Sequence, residues 1–249
     1  MKTLTLHINE VLKIGKNLSS FSTYSCQPKT KQELEKIINN RIAEEGPECN
    51  LNDIDVSFIE DMSAVFYRSI FNGDISKWNT SKVKNMMGMF ASSEFNGNIS
   101  DWNVSNVKDM SRMFKDSQFN GDISNWDVSN VDDMSHMFMN SDFNGDISKW
   151  DVSNVNDMSD MFYGAKFNGD ISEWNISSVE DMWGMFHMSK FNQDISKWDV
   201  SRVNNMNYMF YESSFNKDIS NWNINRYCST TQMFFNCPIK EEYKPELPR

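Results

Sequence analysis

The 249-residue sequence has few of the residues that most often build catalytic and metal sites, with only three histidines and four cysteines. The cysteines show no CxxC or other metal-ligand spacing, which favours free, buried thiols over disulfides or a bound metal. His7, His136 and His187 occupy unrelated positions, and there is no phosphate-binding loop or dinucleotide-binding glycine pattern. We therefore expect no enzymatic activity, no catalytic residues, no cofactor and no metal.

Long apolar runs are also lacking. No stretch approaches the ~20 consecutive apolar residues that a membrane-spanning helix needs. Residues 1–18 alternate apolar with polar residues and have no continuous apolar core of a secretory signal. As written, the sequence predicts a cytoplasmic protein without membrane insertion, and a cell-surface location if a leader has been removed.

An excess of positive charge is absent too, because 24 Lys and Arg face 35 Asp and Glu, for a net charge of −11. A chain of this charge repels phosphates, so we do not expect nucleic acid as a direct ligand. An acidic rod can instead imitate DNA and inhibit a basic DNA-binding protein. We place this alternative second, because the acidic residues are interspersed with lysines and arginines.

What the sequence does contain is a repeat. The octapeptide FNGDISKW begins at Phe71 and returns, with small changes, every 24 residues without an insertion. Its first residue recurs as Phe71, Phe95, Phe119, Phe143, Phe167, Phe191 and Phe215. A Trp follows each of these Phe residues by seven positions, and a Met-x-x-Met-Phe group closes most units. A degenerate unit precedes them, which gives eight units over residues 47–238.

Each unit has two differently patterned parts. FNGDISNWD, from Phe119, separates its apolar residues by short polar ones and predicts a brief strand. NVDDMSHMF, from Asn130, places apolar residues at i, i+3, i+6 and i+7 and predicts a short helix, with Asn130 and Asp133 as a capping pair. A lone unit cannot bury its Phe, Trp and Met side chains, so successive units must stack. We predict an α/β solenoid whose core holds most of the 18 Met and 18 Phe.

The unit FNGDISxWDVSNVxDMSxMF resembles the repeat of the BspA-like leucine-rich-repeat surface proteins, especially the repeat of unknown function in Mycoplasma lipoproteins. The match covers about residues 47–238 and the motif is long. The resemblance implies a leucine-rich-repeat-like right-handed coil, with a parallel β-sheet on one side and short helices on the other. It also implies adhesion or host-protein binding, as in the better-known members.

The remaining segments predict caps. Residues 1–46 form an N-terminal strand and a capping helix, which begins at the capping box of Thr30 and Glu33 and stops at Gly46. Residues 47–238 form the repeat solenoid, and residues 239–249 a C-terminal tail. We expect one elongated domain, whose oligomeric state the sequence does not indicate.

Positions that vary between units point to a surface for a partner. Fold-determining positions repeat, whereas exposed positions are free to differ, and aromatic residues gather at the variable positions of the later units. The candidate partner-binding patch is Tyr163, Trp183, His187, Tyr208 and Tyr211. Such a patch suits a protein partner, although each side chain could equally pack against the adjacent units. We expect a non-enzymatic protein-binding scaffold, with adhesion or host interaction among its uses.

One acidic position recurs in nearly every unit and allows two interpretations. If the side chains stack ~4.8 Å apart, like charges repel along the rod. Each Asp either accepts backbone N–H groups in a local turn, or shares bridging Ca²⁺ ions with its neighbours. We favour the turn role and regard a Ca²⁺-dependent binding module as the third functional class. The position is occupied by Asp74, Asn98, Asp122, Asp146, Asp170, Asp194 and Asp218.

Overall fold

A computed structural model describes residues 24–248, which contain one α-helix, α1 (Lys31–Glu45), and one 3-10 helix (Glu241–Tyr243). The N-terminal strand predicted from residues 1–18 lies outside the described residues, and so does His7. Neither helix of the described range is long and apolar enough to span a membrane.

Helix α1 begins and ends as its sequence predicts. The Thr30 hydroxyl accepts the N–H of Glu33 at 3.2 Å, and the Glu33 carboxylate accepts the N–H of Lys29 at 2.7 Å. The helix stops at Gly46, whose φ of +92° suits glycine and whose N–H donates to Ile42 at 3.0 Å.

The helix covers the first repeat. Leu34 and Ile38 are fully buried and belong to the same apolar core as the repeats. Polar contacts hold the rest of α1 in place: Lys31 Nζ donates to Ser63 Oγ at 2.8 Å, and Arg41 pairs with Asp53 at 3.1 Å. The predicted capping helix is therefore present.

Successive repeats stack in strict register. Parallel backbone bridges join residues 24 apart, as in Asp109 with Asp133. The rings of Trp78 and Trp102 stack with centroids 6.2 Å apart and planes 6° apart, and those of Phe71 and Phe95 with centroids 6.1 Å and planes 3° apart. The 24-residue repeat fold predicted from the sequence is confirmed, since equivalent side chains lie over one another.

These columns form the core. The repeated Phe and Met side chains are fully buried in all but the last repeat, and the tryptophans of the repeated column keep only 4–5 % exposure. Each indole N–H finds a partner, as where Trp102 Nε1 donates to the Ile75 carbonyl at 3.1 Å. The methionines therefore fill the interior and do not form a soft-metal site.

The prediction of a short helix in every repeat is wrong. In their place the chain makes consecutive β-turns: the N–H of Met137 donates to Met134 at 3.2 Å, and that of Met139 to His136 at 3.1 Å. His136 and Asn140 have φ of +60° and +53°, values that no α-helix contains. The Asp133 carboxylate accepts the N–H two residues on, so it starts a β-turn where we predicted a helix cap.

Alternate N–H groups of these β-turns point to the next repeat. Met134 donates to Asp157, and Phe138 to Met161, both at 3.0 Å, while the groups between them close the β-turns. Backbone polar groups are thus satisfied partly within a repeat and partly across repeats. Each of these β-turns joins residues three positions apart, as in Met134 and Met137, which explains why the apolar pattern imitated a helix.

The parallel sheet predicted for the other side is likewise not formed among residues 24–248, where the parallel pairs are isolated bridges. Side chains replace main-chain pairing there. The Asn120 side-chain oxygen accepts the N–H of Asn144 at 2.8 Å, and Asn144 does the same for Asn168. An asparagine ladder therefore joins the segments predicted as strands. Its members are Asn72, Asn96, Asn120, Asn144, Asn168, Asn192 and Asn216.

The C-terminal tail covers the last repeat. Ile239 is buried in the core, and the N–H of Ile219 donates to the carbonyl of Tyr243 at 3.0 Å. The Lys244 ammonium lies 5.8 Å from the ring centroid of Phe234. Both ends of the stacked array are thus closed by non-repeat residues.

Candidate functional site

The variable positions of the sequence lie on the surface formed by the stacked β-turns. We call this surface the β-turn face. It contains residues 61–69, 85–93, 109–117, 133–141, 157–165, 181–189, 205–213 and 229–237. The repeated Met-x-x-Met-Phe side chains of these segments point into the core, so most of the residues between and after them form the exterior.

All five residues of the predicted patch meet in one cluster on the β-turn face. The His187 ring lies edge-on to Tyr163, with centroids 4.5 Å apart, and to Tyr211 at 4.9 Å. It stacks with Tyr208 at 6.4 Å, and Tyr208 in turn meets Trp183 edge-on at 5.8 Å. The sequence predicted which side chains come together, because each belongs to one of a few columns on adjacent repeats. Their binding to a partner stays a prediction.

The cluster also has an exposed apolar rim. Trp183 is 36 % exposed, Met188 50 % and Phe235 47 %. Phe235 stacks on Tyr211 at 4.9 Å, and the Tyr163 hydroxyl donates to the Met188 sulfur at 3.5 Å. Met188 was not among the predicted residues, although it directly follows the column of His187 and lies where most other repeats have a polar residue.

A buried acid and a histidine lie beside this cluster. His136 Nε2 is 3.4 Å from an oxygen of Asp160, which is 24 residues further on and only 4 % exposed. The other carboxylate oxygen of Asp160 and Nδ1 of His136 are buried with no hydrogen-bond partner among the described residues. The carboxylate occupies space over Gly184, where a side chain would clash with it. His136 and Asp160 occupy equivalent positions in successive repeats, 24 residues apart, and this spacing is the sequence signal that could have predicted the pair.

The environment disfavours the charged form of both groups. Burial, with the charges of Asp157 and Asp181, raises the pKa of Asp160 to about 7. Burial, with the nearby Arg112, lowers the pKa of His136. Both shifts disfavour the ionised form, so Asp160 holds its proton below about pH 7 beside an imidazole that resists protonation.

The exposed acidic column behaves differently. The Asp122 carboxylate accepts the N–H of Ser124 at 2.9 Å, and the same contact with the residue two positions on recurs along the column. These N–H donors lower the pKa of Asp122, Asp146 and Asp170 even though like charges neighbour them. The turn-forming interpretation is confirmed, with the donor two residues after the Asp. Within residues 24–248 no three His, Cys, Asp or Glu side chains are grouped to hold a metal ion.

A family model matches the repeat region of the chain twice. The family model described as Mycoplasma protein of unknown function, DUF285, matches residues 33–145 and 139–244, from α1 to the C-terminal 3-10 helix. The chain belongs to the DUF285 family. No curated protein and no solved structure matches this DUF285 chain. Because the family description states no activity, a functional conclusion has to rest on the geometry of the β-turn face.

Proposed function

We propose that this DUF285 protein is a non-enzymatic protein-binding scaffold that contacts its partner through the aromatic cluster of the β-turn face. The observation that supports this is the cluster itself: five rings from three successive repeats touch one another and leave Trp183 partly exposed. Aromatic residues of this kind anchor protein interfaces, since they bury a large apolar area and carry a polar tip.

The cluster is also held in place before any partner arrives. His187 and Tyr163 follow backbone segments that are bonded across repeats, as in the N–H of Gly164 donating to His187 at 2.8 Å. Ring contacts on several sides restrict the side chains further. A pre-ordered surface loses less conformational entropy on association, so it binds more tightly for the same area.

The partner in this proposal is a protein, with no direct nucleic-acid ligand and no membrane insertion. The finer relationship to BspA-like leucine-rich-repeat surface proteins, a right-handed coil, and adhesion or host binding at the cell surface are parts of the same proposal. They are supported by the resemblance of the repeat and by the exposed apolar rim.

The DNA-mimic alternative is favoured by one observation. The carboxylates of the acidic column are exposed, and backbone donors lower their pKa, so they stay ionised in a row along the rod. Lysines interrupt the neighbouring surface, for example Lys197, which pairs with Glu173 at 2.5 Å. A single interrupted row matches a duplex poorly, and we keep the aromatic cluster as the primary surface.

Affinity capture from the native cell with three matched baits tests both proposals. Trp183→Ser removes the partly exposed ring at the rim of the cluster. Asp122→Asn with Asp146→Asn removes two charges and keeps the turns, because Asn98 makes the same contact in its repeat. We expect a partner that the wild type and the Asn variant retain and Trp183→Ser loses.

Loss with the Asn variant alone, with basic DNA-binding proteins in the captured set, would replace our proposal with DNA mimicry. An identical captured set for all three baits would contradict both. Circular dichroism and thermal melting of each bait establish that the comparison is made between folded proteins.

A further inference from the structure

A second feature of the β-turn face lies in the first three repeats, away from the aromatic cluster. Small residues there, Gly88, Ala91 and Ser92, form the floor of an open basin of about 360 Å³. Tyr67, 50 % exposed, and Met87, 36 % exposed, also line it. A volume of this size is at the lower end of ligand pockets and suits a few side chains of a partner.

The basin is positively charged although the chain as a whole carries −11. Arg68, Arg112 and Lys115 line it together with a single carboxylate, that of Asp116. Lys115 pairs with Asp116 at 2.6 Å, and Asn140 donates to the other oxygen of that carboxylate at 3.0 Å. Asp116 is therefore already engaged, and the local charge is set by the two arginines.

Among the described residues, neither arginine has an acidic partner. The Arg112 side chain makes no ion pair or hydrogen bond within residues 24–248, and the Arg68 guanidinium lies over the Tyr67 ring, 5.1 Å from its centroid. A guanidinium has five donors arranged to grip a carboxylate through two parallel hydrogen bonds. Two unpaired guanidinium groups beside apolar walls are complementary to an acidic side chain that has an apolar neighbour.

We propose that this basin binds an acidic peptide segment of a protein partner. An Asp or Glu carboxylate pairs with Arg112 and Arg68, and an adjacent apolar side chain packs on Tyr67 and Met87. A short peptide fits better than a nucleic acid, because the positive charge is confined to one basin and the rest of the surface repels a long polyanion. The site differs from the aromatic cluster in position and in ligand chemistry.

The repeat supplies variants that the fold already tolerates. Ala91 is in the same column as Tyr67, Tyr163 and Tyr211, so Ala91→Tyr fills the basin with a side chain that three other repeats carry there. Arg112→Gln removes the charge and places at this positive-φ position the residue found at the equivalent Gln232.

Two control substitutions leave the basin intact. Met139→Tyr makes the column change of Ala91→Tyr one repeat beyond the basin. Arg202→Gln removes an arginine that pairs with Glu180 on the exposed surface. Both are outside the basin lining.

The test is an NMR titration of the full chain with an acetylated peptide that alternates Glu with Leu, and with its Gln-for-Glu counterpart. We expect saturable shifts at the Gly88 amide and the Arg112 side-chain N–H with the Glu peptide only, weakening as salt rises. Arg112→Gln should reduce affinity about tenfold or more, as loss of a charge-assisted bond predicts, and Ala91→Tyr should abolish it. The two controls should bind as the wild type does.

Equal binding of the Gln peptide, shifts centred elsewhere, or binding that survives Ala91→Tyr would overturn the proposal. Saturable shifts at the same nuclei with inorganic phosphate or a short oligonucleotide, but not with the Glu peptide, would assign the basin to phosphate ligands and overturn it as well. Trp183→Ser should leave the titration unchanged, so failure of the basin and failure of the aromatic cluster are separate results.

Discussion

Asp160 makes the stability of this protein depend on pH in a direction opposite to that of an ordinary surface acid. Its pKa is raised from 3.8 to about 7 in the folded chain, because it is buried near Asp157 and Asp181 and one oxygen has no donor among the described residues. Between those pH values the folded protein holds a proton that the unfolded chain has released. Stability therefore falls as pH rises from 3.8 to about 7, and is level above that.

The magnitude follows from the shift. Each pKa unit corresponds to about 1.4 kcal/mol, so the ionised carboxylate costs the folded state about 4 kcal/mol above pH 7. Between pH 5 and pH 8 the change is about 3 kcal/mol, since only the part of the window up to about pH 7 contributes. The asparagine of Asp160→Asn has no titrating proton. The unfolding free energy of this variant relative to wild type should therefore rise by about 3 kcal/mol between pH 5 and pH 8.

Urea unfolding of both proteins at pH 5, 6, 7 and 8 measures the difference. Asp146→Asn is the matched control: its carboxylate has a lowered pKa, so its difference from wild type should be flat over this range. The same series in a His136→Gln background shows which group titrates. If the stability difference between Asp160→Asn and its parent no longer changes with pH in the His136→Gln background, the titrating group is His136. If that difference does not change with pH when His136 is present, the reasoning is refuted.

Three further predictions concern the stacked columns. Gly184→Ala should destabilise the protein more than Gly88→Ala. Both glycines have φ near +60°, so either alanine costs about 1–2 kcal/mol of backbone strain. Only the methyl group at position 184 would clash with Asp160, which adds roughly 1–3 kcal/mol, and Asp160→Gly should remove this extra cost. Asn120→Ala should cost about 1 kcal/mol, because it removes the acceptor of a backbone N–H in the next repeat. Phe138→Ala should cost roughly 3 to 5 kcal/mol in the same urea assay, because the fully buried ring stacks on both neighbouring repeats.

Controls for these changes come from the same chain. Asn125 is exposed and makes no side-chain hydrogen bond among the described residues, so Asn125→Ala should be nearly neutral beside Asn120→Ala. Phe234 ends the ring column and stacks on one neighbour, Phe210, at 5.7 Å, so Phe234→Ala should cost less than Phe138→Ala. Equal costs for the two phenylalanine variants would contradict the nearest-neighbour account of the array.

The register and the core could be predicted because both depend on stacking. A residue that returns every 24 positions without an insertion can only lie over its own copies, and Phe, Trp and Met columns of this kind have to be buried. The helix α1 was also predictable, since Thr30, Glu33 and Gly46 supply its start and stop in local sequence. The same columns predicted the residues of the aromatic cluster.

The local conformation could not be predicted, because two structures share one apolar period. Consecutive β-turns and a helix both return an apolar residue every three or four positions. The feature that separates them is positive φ in two columns of the β-turn face, and only Gly88, Gly164 and Gly184 indicate it in the sequence. At His136 and Asp160 the same conformation is adopted by residues other than glycine, stabilised by hydrogen bonds across repeats.

The separation of core and surface columns allows one fold to carry the two sites that we propose. Every repeat satisfies its own backbone and stacks its own rings, so a change at an exterior position alters a local contact and leaves the register intact. The first repeats use this freedom for small and basic residues around Gly88, and the later ones for aromatic residues around His187. Four repeats at ~4.8 Å place these two positions roughly 19 Å apart along the axis, far enough for their contributions to binding to be independent. If both proposed sites bind one partner, that partner gains affinity by connecting two modest contacts, without either contact having to be strong.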